Sequence, residues 1–265
     1  MKYFDAHCHV QFDPYDEDRD AVLQSMRDKE VGGLVVGVDL DSSVKALSLV
    51  QNLPGFYAAA GLHPNYVLDE QFDEDSFRAI LRHPKVVAVG ECGLDNFRPQ
   101  DLEQSKGEQR KVFERHIALA AEADKPMMIH SRPSKGTQDS YRDMIDILRA
   151  HKSEYGDRLR GDIHFFVGGT EEAKDFLELG FTLSFTAVLT FARDYDEVVR
   201  YIPLSSIITE TDAPYIAPVR IRGKRNDPTS VIDVVEAIAQ IRQESEEAVR
   251  EAVLTNAQTL FKIDK

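Results

Sequence analysis

Four histidines and two acids in this 265-residue chain have the chemistry to hold divalent metal: His7, His9, His130, His164, Glu91 and Asp212. His7-Cys8-His9 reads as the end of a strand, where residues two apart point the same way, so one ion can sit between both imidazoles. By itself an H-x-H pair equally suits two histidines packed at a strand end. The weight comes from the other four residues, because imidazoles and carboxylates together form a ligand set for two ions. Within that set only Glu91 and Asp212 offset cationic charge, and a bridging role suits Glu91. Two ions about 3.5–4 Å apart can bind an attacking and a leaving oxygen together.

Such a set works only if the fold brings it to one place. Short β-rich runs recur along the chain: Tyr3–His9, Gly33–Val38, Phe56–Gly61, Val86–Glu91, Pro126–His130, Gly161–Phe166, Phe181–Phe185 and Ile207–Asp212. Amphipathic helical patterns lie between them, at 17–30, 42–51, 73–82, 108–123, 139–151, 171–179 and 195–201, and two more follow at 229–240 and 245–256. Strands alternating with helices predict a parallel sheet. Eight such units fit an α/β fold of the closed (β/α)8 TIM-barrel type, about 250 residues in its usual form, here as a single domain over residues 1–265. An open doubly wound sheet would carry a glycine-rich phosphate loop after an early strand. Gly32-Gly33 precedes its strand and Gly168-Gly169 lacks the spacing, so the barrel is preferred. In a barrel the C-terminal strand ends converge on the face that carries active sites, and all six candidate ligands fall at or near such ends.

The remaining chemistry is graded by position. His63, in Gly61-Leu62-His63-Pro64, follows the third strand and is expected to touch substrate or support a ligand. Glu210 lies two residues before Asp212 on the same strand and is expected to orient a histidine ligand. His83, His116 and His151 fall on or beside helices and read as surface or packing residues. Cys8 alternates away from His7 and His9, and neither it nor Cys92 belongs to a CxxC pair, so both read as packed thiols.

Lys and Arg number 32 against 46 Asp and Glu, a net charge of −14, which argues against wrapping long duplex nucleic acid. Basic residues nevertheless gather near the expected mouth: Arg98 after the Glu91 segment, Arg132 and Lys135 after His130, and Arg220, Arg222, Lys224 and Arg225 after the last strand. That placement favours short, end-directed or small phosphate substrates. No run approaches the roughly 20 apolar residues of a membrane span. The first residues lack the apolar stretch of a signal peptide, so the expected setting is cytoplasmic, with no membrane and no obligate protein partner.

These segments together resemble the TatD-like metal-dependent hydrolases, the TatD DNases, within the wider amidohydrolase group of barrels. The resemblance rests on Phe4-Asp5-Ala6-His7-Cys8-His9, Gly61-Leu62-His63-Pro64, Gly90-Glu91-Cys92-Gly93-Leu94-Asp95 and Ile129-His130-Ser131-Arg132. It continues through His164 before Gly168-Gly169, Glu210-Thr211-Asp212-Ala213-Pro214-Tyr215 and Arg225-Asn226-Asp227-Pro228, so it spans residues 4 to 228. It implies a two-metal hydrolase in which His7 and His9 bind one ion, His130 and His164 the other, Glu91 bridges, and Asp212 sits at the first ion. Departures from the family pattern fall in loops: Asn65 in place of a second histidine, Asn96-Phe97 after Gly-Leu-Asp, Phe165-Phe166-Val167 after His164, and Pro133–Thr137 after Arg132.

The expected reaction is hydrolysis of a phosphate ester, in DNA ends or single strands, by a water activated between two divalent ions (Mg²⁺, Mn²⁺ or Zn²⁺). Asp212 is the expected general base and Glu91 the second catalytic carboxylate; His63, Arg132, Lys224, Arg225 and Asn226 are the expected substrate contacts. A metallo-amidohydrolase or deacylase acting on a small amide is the rival activity, and would need no basic loops. A non-catalytic, metal-stabilised binding protein is a third reading, disfavoured by a complete ligand set.

Overall fold

The computed structural model of the chain describes residues 1–98 and 102–263. Its strands are β1 (Tyr3–Cys8), β2 (Val31–Val36), β3 (Phe56–Ala60), β4 (Val86–Asp95), β5 (Met127–Arg132), β6 (Gly161–His164), β7 (Thr182–Phe185) and β8 (Ile207–Thr209). Each pairs in parallel with the next in the order β1 to β8. Helices α1 (Arg19–Asp28), α2 (Leu40–Val50), α3 (Glu74–Leu81), α4 (Leu102–Ala123), α5 (Asp139–Tyr155), α6 (Thr170–Glu178) and α7 (Asp196–Tyr201) connect the strands, and α8 (Val231–Arg242) and α9 (Glu246–Phe261) follow. This is the expected eight-unit α/β barrel.

Alternation along the strands produces two apolar layers. Phe4, Leu34, Val36, Tyr57, Val87 and Met128 face inward, and Phe261 of α9 joins them against Phe4, plugging the barrel opposite the site. The other strand face packs on the helices, and Cys8 and Cys92 lie there as buried free thiols. Among the described residues no helix is long and apolar enough to cross a membrane.

The seam between β1 and β8 closes by bonds made beyond the regular ladder. The amide of Asp212 donates to the His7 carbonyl at 2.9 Å, and the amide of His9 donates to the Ala213 carbonyl at 2.8 Å. Beneath them the Asp5 carboxylate accepts from the Thr211 amide (2.9 Å) and hydroxyl (2.6 Å). Asp5 is fully buried, and burial pushes its carboxyl well above the ordinary range.

The fourth strand differs from the expectation that it stops at Glu91. It continues to Asp95 because Cys92–Asp95 pair with Ile129–Arg132 of β5. Gly93, at φ +142°, permits this: a Cβ there would collide with the His130 carbonyl, so the two strands approach only with glycine. Glu91 therefore lies within β4, and Asp95 occupies its end. The last strand shows the reverse, ending at Thr209 with Asp212 three residues beyond it, at φ +52°.

Candidate metal centre

Glu91 stands at the middle of a ring of imidazoles, and its two oxygens face different sets. Oε2 lies 3.4 Å from His7 Nε2 and 3.9 Å from His9 Nε2. Oε1 lies 2.9 Å from His130 Nδ1, 3.3 Å from His63 Nε2 and 3.7 Å from His164 Nε2. Asp212 extends the first set, with Oδ1 3.5 Å from His9 Nε2. All six expected ligands are thus brought together, though they come from strands up to two hundred residues apart.

Whether these residues suit a divalent cation is decided by where their ring protons go. His9 Nδ1–H donates to the Val36 carbonyl at 2.8 Å, which leaves the Nε2 lone pair directed at the centre. His130 Nε2 lies 3.2 Å from Asp95 Oδ2, so the neutral ring offers Nδ1. His164 Nδ1 lies 2.9 Å from Glu210 Oε1, close although off the line of a hydrogen bond, so Nε2 is the inward nitrogen. Acceptors behind metal-ligating histidines fix the tautomer and raise ligand basicity in just this way. His7 Nδ1 is buried without a hydrogen-bond partner among the described residues. Among the described residues, two triads have ligand atoms close enough to share an ion around Glu91, His7–His9–Glu91 and His63–Glu91–His130, and a third joins His7, His164 and Glu210. The donor set fits divalent metal.

His63 enters differently from the four expected ligands. Its Nδ1 accepts the Asn65 amide at 3.1 Å, so the neutral ring carries its proton on Nε2 and directs it at Glu91 Oε1. In that tautomer it supports the carboxylate, although its position also completes the His63–Glu91–His130 triad.

Electrostatics sort the groups. Burial alone would raise the Glu91 carboxyl, yet the charges of His63 and His7 and the contact with His130 hold it well below its usual range. Asp212 is likewise opposed by burial, and His9, His164 and His7 hold it below the ordinary value. Burial lowers His7 and His63. His164, despite burial, is pushed up to about 10 by Glu210, and His130 is raised by Asp95 and Glu91.

Two groups escaped the sequence reading. Asp95 is fully buried; Oδ2 meets His130 and Oδ1 accepts the Phe97 and Arg98 amides at 2.9 and 3.0 Å. Asp5 braces both His7 and the Thr211–Asp212 segment from below. The available signal was strand parity: Asp95 is four residues after Glu91, and Asp5 two before His7. Glu210, expected on the last strand with Asp212, lies just beyond β8, beside His164 and with Oε2 held by Ser184 at 2.8 Å.

The centre forms the floor of a cavity of about 520 Å³. Arg98 and Arg132 are the cations on its wall among the described residues, and Tyr66 and Tyr215 flank it. The expected contacts from the loop after β8 lie elsewhere. Arg225 is bound to Asp18 at 2.6 Å and stacks over Tyr15. Asn226 is buried, its amide donating to the Thr211 and Ile216 carbonyls, so it holds the loop instead of meeting substrate. Lys224 is exposed off the cavity wall, as is Lys135, while Arg220 pairs with Asp233 at 2.7 Å and Arg222 stacks over Phe191. Asp233 and Asp18 absorb the charge of Arg220 and Arg225 that sequence proximity assigned to substrate.

Comparison with known proteins adds an independent line. A family model described as TatD related DNase matches residues 4–262. The chain is 34% identical to the uncharacterized metal-dependent hydrolase YabD of Bacillus subtilis, over 98% of this chain and 99% of the relative. It is 33% identical to the 3'-5' ssDNA/RNA exonuclease TatD of Edwardsiella piscicida, over 88% of each. Its fold superposes on the crystal structure of the TatD homologue YjjV from Escherichia coli with a TM-score of 0.89 at 29% identity, covering 99% of both chains.

Proposed function

This chain belongs to the TatD family of metal-dependent hydrolases, and from its site we propose that it is a deoxyribonuclease cleaving phosphodiester bonds at DNA ends or in single strands. The observation that carries the reading is the pairing of a split imidazole ring around Glu91 with two arginines, Arg98 and Arg132, on the wall above it. Two guanidiniums that pair with no carboxylate among the described residues suit a phosphate better than a neutral amide. A relative named as a single-strand exonuclease supports the same choice.

In this reading His7, His9 and Asp212 would hold one divalent ion and His130 and His164 the other, with Glu91 a ligand common to both sets. Bound Mg²⁺, Mn²⁺ or Zn²⁺ supplies Lewis acidity, lowering the pKa of water and offsetting charge on phosphoryl oxygens. Arg132 and Arg98 draw the phosphate into the cavity and orient it. Asp212, ionised and reaching the cavity, accepts the proton of the attacking water. Its aim is fixed by the backbone, since its amide donates to the His7 carbonyl and its carbonyl accepts the Tyr215 amide at 2.8 Å. Glu210 and Asp95 hold the imidazoles of His164 and His130 in register. A cytoplasmic setting accompanies the proposal, supported by two buried free thiols.

The test is cleavage of end-labelled single-stranded DNA by the purified chain with Mg²⁺, Mn²⁺ or Zn²⁺, beside Asp212→Asn. Metal-dependent cleavage is expected, falling about 10²–10⁴-fold in the variant. Absence of cleavage by the unaltered protein with every ion, or full activity in Asp212→Asn, would refute it.

A further inference from the structure

Phe97 stacks on Arg132, which lines the cavity, with the guanidinium carbon 4.2 Å from the ring centroid. The pair is built by the strands. Asp95 and Arg132 are register partners of β4 and β5, and the Asn96 amide donates to the Arg132 carbonyl at 2.8 Å. Asp95 Oδ1 then takes the amides of Phe97 and Arg98, while its other oxygen meets His130. One buried carboxylate thereby fixes the ring, a neighbouring cation and a candidate ligand in one geometry.

A lone exposed apolar side chain is ordinary, so the 50% exposure of Phe97 says little by itself. Its neighbours give it meaning. Arg132, stacked on the ring, also lines the cavity, and Arg98 lines it from the next position along the chain. Among the described residues neither arginine is paired with a carboxylate, unlike Arg220 and Arg225. Tyr66 and Tyr215, 38% and 53% exposed, stand on the wall of the same cavity. An aromatic face beside cations that track a phosphate is how proteins grip single strands without reading sequence, since every base has a π-face.

We propose that Phe97, backed by Arg132, is a nucleobase platform on which the base next to the scissile bond stacks while Arg132 and Arg98 take its phosphate. The inference rests on the nuclease reading and narrows it to unpaired nucleotides, because a base inside a duplex has no free face to offer. Phe97 is a specificity-determining residue in this account, placed outside the floor where bond cleavage occurs.

The test compares kcat/KM on two single strands of equal length, one with natural bases throughout and one with abasic tetrahydrofuran residues at both termini. The Mn²⁺-loaded protein, Phe97→Ala, Phe97→Leu and Phe97→Trp are assayed on each. The unaltered protein is expected to prefer base-bearing ends by about tenfold or more. Phe97→Ala and Phe97→Leu lose that preference and Phe97→Trp keeps it. The ratio within each variant cancels any loss of folded protein. A preference that survives Phe97→Ala, or none in the unaltered protein, overturns the platform while leaving the nuclease reading in place. Failure of the unaltered protein to cut either strand removes both.

Discussion

Nε2 of His7 and Nε2 of His9 stand 3.2 Å apart, both facing Oε2 of Glu91. His9 gives its proton to the Val36 carbonyl, so its inward nitrogen is an acceptor. Without a cation, His7 must turn a proton toward that acceptor or leave two lone pairs opposed. A divalent ion satisfies both nitrogens and the carboxylate at once, which makes metal binding a source of stability as well as activity.

Metal-stripped protein is therefore expected to unfold at lower temperature than protein with Mn²⁺ or Zn²⁺. At a hundredfold excess over Kd the gain is about 2.7 kcal/mol, and for a chain of this size each kcal/mol moves the midpoint by roughly 2–4 °C. His9→Ala should abolish most of the shift. Identical melting curves with and without ions, followed by calorimetry, would count against the centre.

Behind His164, Glu210 is held by the Phe165 amide at 2.7 Å and by Ser184. Glu210→Gln keeps the shape and removes the charge beside Nδ1. Ion affinity should fall about 10–100-fold, while most of any activity lost through under-occupancy returns at saturating metal. Direct titration of the ion measures this, and Ser184→Ala should show a smaller loss in the same direction. Unchanged affinity in Glu210→Gln would mean that Glu210 merely fills a polar layer of the barrel.

Arg132 and Arg225 looked equivalent by their closeness to candidate ligands, but their surroundings separate them. Arg132→Ala should raise KM for single-stranded DNA about tenfold, since a charge-assisted phosphate contact is lost. Arg225→Ala should leave KM unchanged and lower stability slightly, because it breaks an exposed ion pair with Asp18. Steady-state kinetics of both variants, at matched ionic strength, decide the assignment.

The barrel and the convergence of the six metal-competent side chains were legible because both follow from local pattern: strand periodicity, turn-bounded apolar runs, and such side chains at or near strand ends. Glu91 falls among the imidazoles despite a misjudged strand end, since parity survives an extension of β4. What could not be read was pairing across the fold. Nothing near Arg225 announces Asp18, which lies two hundred residues earlier, and nothing near Asn226 announces that its amide will be spent on Thr211 and Ile216. Asp95 was hidden for a different reason, because its partner His130 arrives only through the β4–β5 register that Gly93 permits.

His116 was expected to pack or to lie at the surface, and it packs, with a further role in the His63 loop. Its Nε2 accepts the Leu62 amide at 3.0 Å and Nδ1–H donates to the Val112 carbonyl at 2.8 Å, with Phe72 against the ring. Burial lowers it from 6.5 to about 4, so the folded protein keeps it neutral where the unfolded chain would protonate it. The sign follows from proton counts: between those values the unfolded state holds the extra proton, so stability is intact above pH 6.5 and falls as pH drops toward 4. The gap is worth about 3 kcal/mol. His116→Gln can still accept the Leu62 amide but does not titrate. Its stability curve from denaturant unfolding should lose one proton's worth of slope across this window, about 1.4 kcal/mol per pH unit, relative to the unaltered protein. Parallel curves would show that the ring is already protonated in the fold, and the Leu62 hydrogen bond would then have to be abandoned.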